Sequence, residues 1–389
     1  MPTITRLPCS IDATDHWSHA RALTLTSLHA TIETPVFMPV ATQAVLRHVD
    51  TAVSTALGYQ VMLANTYHLL LRPGPQVLAK FGGIHPFMKW DRAILTDSGG
   101  FQIFSLPNHV RLSEEGARFR SYVDGSWILL SPERSIEMQA VIGSDIMMVL
   151  DHCVNSTSDY DTTRKALELT TRWATRSLAA RGDSPQALFG IVQGGCIPEL
   201  RKESASQIVA LGFDGYALGG LAVGESRTER EDTTEHAAQL LPHDQPRYLM
   251  GVGTPIDLLE AVRRGIDMFD CILPTSLAAQ GVCFTSRGKL DLRRGVYRSQ
   301  ETSLDASCSC STCSRFSRSY LHHLVKTQEP VAAQLVSIHN LTFYKQLMER
   351  MRQSILAGEF CSLYQREAPI LASDDIDFPP SGPHSRERA

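Results

Sequence analysis

The feature that most constrains the fold is a regular alternation of short apolar runs and longer amphipathic segments between residues 90 and 275. The apolar runs cover 93–97, 145–151, 187–194, 215–220, 247–252 and 268–273. Helical periodicity predicts helices between them, over 159–181, 198–211, 226–241 and 255–265. This spacing is typical of βαβ units and a parallel sheet buried on both faces. No G-x-G-x-x-G motif opens a helix after the first strand, so the α/β chain is predicted to form a (β/α)₈ TIM barrel rather than an open dinucleotide-binding sheet.

Each apolar run ends in a polar residue or a glycine. The ends include Asp97, Asp151, Gln193 and Asp270, with glycines at 219, 220 and 251. A single aspartate at a strand end usually caps the next helix. Three together are harder to explain that way, and barrel enzymes build their active sites from the carboxyl ends of several strands. We therefore predict a pocket lined by these residues.

Charge and hydropathy limit the partners and the location. The formal charge of −4 over 389 residues provides no global attraction for nucleic acid. Residues 281–330 nevertheless hold eight basic and four acidic residues, which indicates either a solvated surface or a footprint for a polyanion. The sequence contains no run of 18 apolar residues, so no membrane helix is predicted. The N-terminal residues lack the apolar core of a signal peptide. A cytoplasmic location is expected.

The cysteines point to a metal rather than to disulfides. Of nine cysteines, six are scattered singly and three crowd together as Cys308, Cys310 and Cys313. With His339 they make a closed tetrahedral set for one structural zinc ion. His322 and His323 compete with His339 on spacing alone, and the alternative is three buried thiols beside an unrelated histidine. A helix is predicted over 342–356.

Several long motifs together resemble one family, the queuine tRNA-ribosyltransferases or tRNA-guanine transglycosylases, in its bacterial, homodimeric branch. The resemblance covers about residues 5–365. It rests on the following segments: ETPVFMPVAT (33–42), LANTYHLLLRPG (63–74), TDSGGFQ (96–102), SDIMMVLDHC (144–153), GIVQGG (190–195), YALGGLAVGE (216–225), YLMGVG (248–253), DMFDCILPT (267–275) and the Cys-x-Cys-x2-Cys…His set.

The resemblance implies a pentosyltransferase that works by base exchange. The wobble guanine of tRNAs with G-U-N anticodons is replaced by a 7-substituted 7-deazaguanine through a covalent aspartyl-ribosyl intermediate. The implied fold is an irregular (β/α)₈ barrel with a zinc-binding insertion near the C-terminus. The expected boundaries are a barrel over 1–275, a basic zinc-binding insertion over 276–345 and a C-terminal helix over 346–371. The Pro-rich, polar composition of 372–389 predicts a disordered tail.

The resemblance also implies roles for individual residues. Asp270 is the nucleophile that traps the ribose, as a carboxylate does in retaining glycosidases. Asp97 is the general base that accepts the N9 proton of the incoming base. Asp151 accepts hydrogen bonds from the guanine N1–H and amino group.

The remaining implied contacts surround the base and the tRNA. Gln193 and the amide of Gly220 hold O6, Phe101 and Met250 sandwich the purine, and the carbonyl of Leu221 meets the aminomethyl group. Ser98, Gln102, Cys153 and Gly219 are expected beside the base. The residues expected to contact the tRNA are Gly251, Thr254, Thr275, Ser276, Ala279 and Arg293. The residues expected at the dimer contact are Phe316, Tyr320 and His323, with ordinary helix packing as the alternative.

The chain departs from the family pattern at four positions. His152 replaces a glutamate, Thr254 a lysine, and Ser276 and Ala279 two arginines. Val223 and Cys153 favour 7-aminomethyl-7-deazaguanine as the incoming base, while the small side chains at 276 and 279 leave queuine as the alternative.

Two other functions compete with base exchange. A non-catalytic tRNA-binding relative would be expected to lack the pocket aspartates. A zinc-dependent barrel hydrolase would need metal ligands at the strand ends with an open position.

Overall fold

The computed structural model describes residues 5–105 and 110–380. Its strands are β1 (Cys9–Thr14), β2 (Arg21–Thr26), β3 (Thr31–Glu33), β4 (Val36–Pro39), β5 (Val61–Ala64), β6 (Ala93–Thr96), β7 (Arg111–Leu112), β8 (Ala117–Arg120), β9 (Trp127–Leu130), β10 (Ile146–Met148), β11 (Ala187–Val192), β12 (Gly215–Leu218), β13 (Arg247–Leu249), β14 (Met268–Cys271), β15 (Val282–Thr285) and β16 (Gly288–Asp291).

The helices among these residues are α1 (Thr51–Ala56), α2 (Thr66–Leu71), α3 (Pro75–Phe81), α4 (Ile84–Met88), α5 (Gly100–Phe104), α6 (Pro132–Ile142), α7 (Tyr160–Arg181), α8 (Pro198–Leu211), α9 (Arg227–Gln239), α10 (Pro255–Arg263), α11 (Leu273–Ala278), α12 (Arg318–Lys326), α13 (Pro330–Leu356) and α14 (Phe360–Leu371). Within this part of the chain, no helix combines the length and the apolar character needed to cross a membrane.

Eight parallel strands form the barrel in the order β4-β14-β13-β12-β11-β10-β6-β5. The amide of Ala41 donates to the carbonyl of Leu63 at 2.6 Å, and Val40 pairs in parallel with Leu63, which joins the two ends of the sheet. Strands such as β10 and β11 are buried along their whole length because helices cover the outside and side chains fill the inside. The predicted TIM barrel is confirmed, and each predicted apolar run contains a barrel strand.

Three additions surround the barrel. Strands β1–β3 form an antiparallel sheet before the first barrel strand, and β7–β9 form a second one between α5 and α6. The hairpin β15–β16 follows α11 and packs with α12 around a separate small apolar cluster that includes Cys283, Leu290 and Tyr297.

The predicted helix over 342–356 is too short, and the predicted boundary at 345 falls inside a helix. Helix α13 runs without interruption over Pro330–Leu356. Its residues Tyr344 and Leu347 belong to the barrel core, whereas Val336 belongs to the small cluster around the hairpin. One helix therefore serves both cores, which explains why it crosses the boundary.

Residues 372–380, the first part of the predicted disordered tail, contact the hairpin. Asp375 is 1% exposed and its carboxylate accepts a hydrogen bond from the hydroxyl of Tyr297. Asp377 pairs with Arg287 at 2.7 Å, and Asp374 pairs with Lys289 at 3.2 Å. The acidic residues of the tail therefore neutralise part of the positive charge of the hairpin. The rest of the predicted tail, 381–389, lies outside the described residues.

Candidate active site

The predicted pocket residues gather at the carboxyl edge of the barrel. Asp97 follows β6, Asp151 follows β10, Gln193 follows β11, and Asp270 lies in β14. The structure brings these side chains together because the strands that carry them are parallel and end at the same edge. Asp97 and Asp151 are buried, at 8% and 9% exposure, and Asp270 is half-buried.

Three donors hold the carboxylate of Asp97. The backbone amide of Thr66 donates to Oδ1 at 2.7 Å, and the side-chain amides of Asn65 and Gln102 donate to Oδ2 at 2.5 and 2.8 Å. Asn65 and Thr66 come from the start of α2, and Gln102 comes from α5. The contacts of Asn65 and Thr66 were missed from sequence, although both residues lie inside the NTYH part of a recognised motif.

Asp151 is linked to the neighbouring strands through Ser98 and Gln193. Gln193 donates from Nε2 to Oδ2 of Asp151 at 2.7 Å, and Ser98 donates to Oδ1 at 3.3 Å. A Cβ added at Gly219 would lie 2.7 Å from Nε2 of Gln193, so only glycine allows this close approach. The amide plane of Gln193 is thereby held against the turn that contains Gly219 and Gly220.

One oxygen of Asp270 is occupied by hydrogen bonds. The hydroxyl of Tyr248 and the backbone amide of Gly251 donate to Oδ1 at 2.5 and 2.8 Å. Gly251 has φ of +73°, a conformation that favours glycine. Among the described residues no hydrogen bond reaches Oδ2 of Asp270. Tyr248 was quoted as part of a motif, but this contact was not predicted.

Burial shifts the ionisation of all three carboxyl groups. Desolvation by burial, reinforced by the charge of Asp270, raises the pKa of Asp97 to about 6. Burial together with the charge of Asp97 raises the pKa of Asp151 to about 6. Burial also raises the pKa of Asp270, against the hydrogen bonds from Tyr248 and Gly251. Such shifts arise where charged groups are held ready for chemistry.

The other predicted base contacts have contrasting exposures. Phe101, on α5, is 49% exposed, whereas Leu221 and Cys153 are buried and Met250 is half-buried. Burial raises the pKa of Cys153 to about 12, so its thiol is neutral. A cavity of about 200 Å³ lies beside Asp151 and is lined also by Phe104, His152, Cys153 and Ala117.

A buried arginine that sequence reasoning missed holds the backbone around the pocket. Arg201 lies on α8, is fully buried, and donates to the carbonyls of Gly195, Val192 and Gly219 at 2.7, 2.8 and 2.8 Å. Burial lowers its pKa to about 10, which leaves it charged at neutral pH. The available signal in the sequence was helical spacing, which places Arg201 on the same face of α8 as Ala205 and Ile208.

The residues predicted to contact tRNA are dispersed around the barrel edge and the hairpin. Thr254 caps α10 by accepting a hydrogen bond from the amide of Asp257, Thr275 and Ser276 lie in α11, and Ala279 is the C-cap residue of that helix. Arg293 forms an ion pair with Asp291 at 2.7 Å.

Much of the basic charge in 281–330 is balanced within the protein. Besides Arg293, three residues of the window pair with the acidic tail: Arg287, Lys289 and Arg294. Arg318 is buried and donates to the carbonyls of Ser303 and Leu304. The window is therefore a weaker electrostatic footprint than its composition indicates.

The predicted metal ligands form one compact group. Ligand atoms of Cys308, Cys310, Cys313 and His339 all lie within 4.8 Å of one another. Nδ1 of His339 lies 3.3 Å from Sγ of Cys313 and 3.8 Å from Sγ of Cys310, while its Nε2 faces the carbonyl of Phe284 at 2.8 Å. His322 instead contacts the carbonyl of Leu292, so it does not join the group. The set can hold a metal ion.

The three residues of the predicted dimer contact lie near this group. The rings of Phe316 and Tyr320 stack with centroids 5.2 Å apart, and Tyr320 is 44% exposed. His323 is also exposed.

The fold and the site define a TIM-barrel enzyme with a carboxylate-lined pocket and a separate Cys₃His cluster. The chain belongs to the queuine tRNA-ribosyltransferase family, whose sequence model matches residues 15–369. It is 52% identical over 354 residues to a queuine tRNA-ribosyltransferase of Solidesulfovibrio magneticus, covering 90% of this chain and 95% of that protein. Proteins of the same name from Thermoanaerobacter pseudethanolicus and Nitrosomonas eutropha are each 50% identical, over 88% and 89% of this chain and 91% and 96% of their own lengths.

Proposed function

We propose that this protein is a tRNA-guanine transglycosylase that replaces the wobble guanine of G-U-N anticodons with a 7-substituted 7-deazaguanine. Family membership supports this pentosyl transfer. The observation that carries the assignment of roles is the difference between the three carboxylates at one barrel edge. Asp270 has one oxygen without a hydrogen-bond donor among the described residues, whereas both carboxylate oxygens of Asp97 and of Asp151 accept hydrogen bonds.

Asp270 acts as the nucleophile. Its Oδ2 forms an acylal-type ester bond with C1′ of the ribose while the C1′–N9 bond to guanine breaks and the electron pair leaves with guanine, which takes up a proton from water. The donors on Oδ1, Tyr248 and Gly251, orient the carboxylate so that Oδ2 faces the ribose. The incoming base then attacks C1′ from the side that guanine left, the ester breaks, and the configuration at C1′ is retained.

Asp97 acts as the proton carrier. The incoming base must lose its N9 proton as N9 bonds to C1′, and a carboxylate with a pKa of about 6 is a suitable acceptor near neutral pH. Asn65, Thr66 and Gln102 fix its orientation.

Asp151 selects guanine. A carboxylate facing the N1–H and amino group of guanine is complementary to it, whereas adenine would present an acceptor and a C–H there. Gln193 and the amide of Gly220 would complete the selection at O6. Because the target base must leave the anticodon stack to reach the barrel edge, base flipping is part of binding.

A single zinc ion is the metal that the Cys₃His set fits. Tetrahedral zinc with sulfur at about 2.3 Å and nitrogen at about 2.0–2.1 Å separates S and N by roughly 3.5 Å, close to the observed Cys313–His339 distance of 3.3 Å. The four protein ligands leave no open position, so zinc would stabilise the fold of its segment. The hydrogen bond between Nε2 of His339 and Phe284 would direct the lone pair of Nδ1 toward the metal.

The remaining assignments follow from the same function. We propose a homodimer through Phe316, Tyr320 and His323, a cytoplasmic location with the tRNA substrate, and 7-aminomethyl-7-deazaguanine as the preferred base. Catalytic efficiencies for that base and for queuine, measured on one tRNA, decide the last point. A ten-fold higher efficiency for queuine would reverse it.

Exchange of labelled guanine into a tRNA with a G-U-N anticodon tests the proposed function. The wild-type protein should incorporate label, and tRNAs with another wobble base should not be labelled. Asp270→Asn should abolish incorporation and the denaturation-resistant protein–tRNA adduct, because an amide cannot form the ester. Absence of incorporation by the wild type would refute the function, and a stable adduct with Asp270→Asn would refute the nucleophile.

A further inference from the structure

Three arginines surround one tryptophan on the antiparallel sheet β7–β9. The guanidinium carbons of Arg111, Arg118 and Arg120 lie 5.7, 5.3 and 5.2 Å from the ring centroid of Trp127. All three arginines are exposed, and Trp127 is 40% exposed. These four residues are here called the arginine–tryptophan face. The sequence analysis did not identify it, because its residues are spread over 111–127.

Strand alternation and register bring the four side chains to one side of the sheet. In β8, Ala117 and Phe119 are buried, while Arg118 and Arg120 point outward. Arg111 is paired directly with Arg118, and Arg120 is paired directly with Trp127. Like charges opposite one another on antiparallel strands destabilise the pairing. Their contacts with the indole ring compensate in part through cation–π attraction.

The charge of this face is not neutralised by the protein. None of the three guanidinium groups forms an ion pair with any carboxylate of the described residues. Two acids near the sheet pair with other arginines, Glu114 with Arg172 and Glu133 with Arg176. In the hairpin region, by contrast, Arg287, Lys289 and Arg294 are paired with the acidic tail. The arginine–tryptophan face is therefore an uncompensated cationic surface, which favours an anionic partner.

The buried side of the same sheet packs against the proposed active site. The ring of Phe119 lies 5.2 Å from that of Tyr67, whose neighbour Thr66 donates to Asp97. Ala117 lines the cavity beside Asp151. A Cβ added at Gly99 would lie 3.1 Å from a methyl group of Leu130 in β9. The arginine–tryptophan face and the pocket therefore lie on opposite sides of the same sheet.

We propose that the arginine–tryptophan face binds the sugar-phosphate backbone of the tRNA whose guanine occupies the pocket. The arginines would contact phosphates, and the exposed indole would offer a surface on which a ribose or an unpaired base can stack. This inference rests on the proposed function, since it places the tRNA over that pocket.

The test compares Arg118→Gln/Arg120→Gln with Lys80→Gln/Arg366→Gln, which removes the same charge from exposed positions on α3 and α14. tRNA binding is measured as a function of salt, together with kcat and KM for guanine exchange. Each lost phosphate contact lowers the slope of log affinity against log salt by about 0.7–0.9, so the face variant should lose about 1.4–1.8. Its KM for tRNA should rise roughly ten-fold or more at 0.1 M salt, with kcat unchanged, and the control should match the wild type.

The outcomes separate this inference from the proposed function. If the wild type fails to exchange guanine, the function is wrong. If the wild type exchanges guanine and the face variant keeps the wild-type slope and KM, the inference is overturned, and an acidic protein partner becomes the better reading of the surface. Thermal unfolding checks a structural role: relief of like-charge repulsion should leave Tm equal or higher. A lower Tm with an unchanged slope would show that the arginines only support the sheet.

Discussion

The hydroxyl of Tyr248 donates to Oδ1 of Asp270 across 2.5 Å, and the two residues lie on adjacent parallel strands, β13 and β14. The contact leaves Oδ2 directed away from the donors. It also stabilises the ionised form of Asp270, whose pKa burial would otherwise raise further. The state of the proposed nucleophile therefore depends on a residue that does not itself react.

Tyr248→Phe should shift the acid limb of the pH profile of kcat to higher pH. Removing the donor lets the pKa of Asp270 rise, so the carboxylate is protonated, and activity is lost, at a higher pH than in the wild type. Tyr216→Phe is a suitable control because Tyr216 is buried and its hydroxyl faces Val209, away from the site. An acid limb that stays in place would exclude this role for Tyr248.

Asp151→Asn should stabilise the protein at pH 7.5 while abolishing guanine exchange. Burial raises the pKa of Asp151 to about 6, so folding disfavours its ionised form. That penalty is complete above pH 6 and disappears as pH falls toward the unfolded pKa near 3.8. The variant should gain about 1–3 kcal/mol in urea unfolding at pH 7.5 and nothing near pH 4.

The exposed carboxylate Asp124 provides the control for this comparison. Its pKa is lowered by hydrogen bonds from Ser121 and Ser126, so Asp124→Asn should bring no gain at either pH. Equal unfolding free energies of Asp151→Asn and wild type at pH 7.5 would contradict the predicted cost of the buried charge.

Arg201→Lys should lower stability and weaken binding of the base. A single ammonium group cannot reach all three carbonyls that the guanidinium bridges, so at least one buried acceptor loses its donor. We expect a loss of about 2–4 kcal/mol in unfolding free energy. We also expect a higher KM for guanine, because the turn at Gly219 would lose a hydrogen bond that fixes its position beside the pocket. The surface variant Arg164→Lys should be neutral, since Arg164 is itself exposed and pairs only with the half-buried Glu168 and Glu203. Wild-type KM in a folded Arg201→Lys protein would refute the link to the pocket.

Cys310→Ala should lose the bound metal and lower both Tm and tRNA affinity. One missing thiolate opens the ligand set, and metal-binding energy contributes to the folding of its segment. Cys361→Ala, at a half-buried thiol on α14 outside the group, should retain one zinc per chain by elemental analysis. Retention of the metal and of normal turnover by Cys310→Ala would show that the ligand set is different.

The barrel and the main pocket residues could be predicted from the sequence because both depend on short-range patterns. The change between apolar runs and helical periodicity reveals βαβ units, and the parallel arrangement brings every strand end to one edge. Asp97, Asp151, Gln193 and Asp270 therefore meet as expected. The crowding of Cys308, Cys310 and Cys313 likewise marks a metal group within six positions.

Other features were decided only when distant segments met. Arg201 donates to the carbonyl of Gly219 because α8 packs against the turn after β12, and Asn65, which follows β5, donates to Asp97 at the end of the neighbouring strand β6. The charge of Arg287 is cancelled by Asp377, ninety positions away, whereas that of Arg118 is left exposed. Local pattern determines which elements form and where they end, but the partner of a buried donor or a surface charge depends on three-dimensional packing, which no local pattern records.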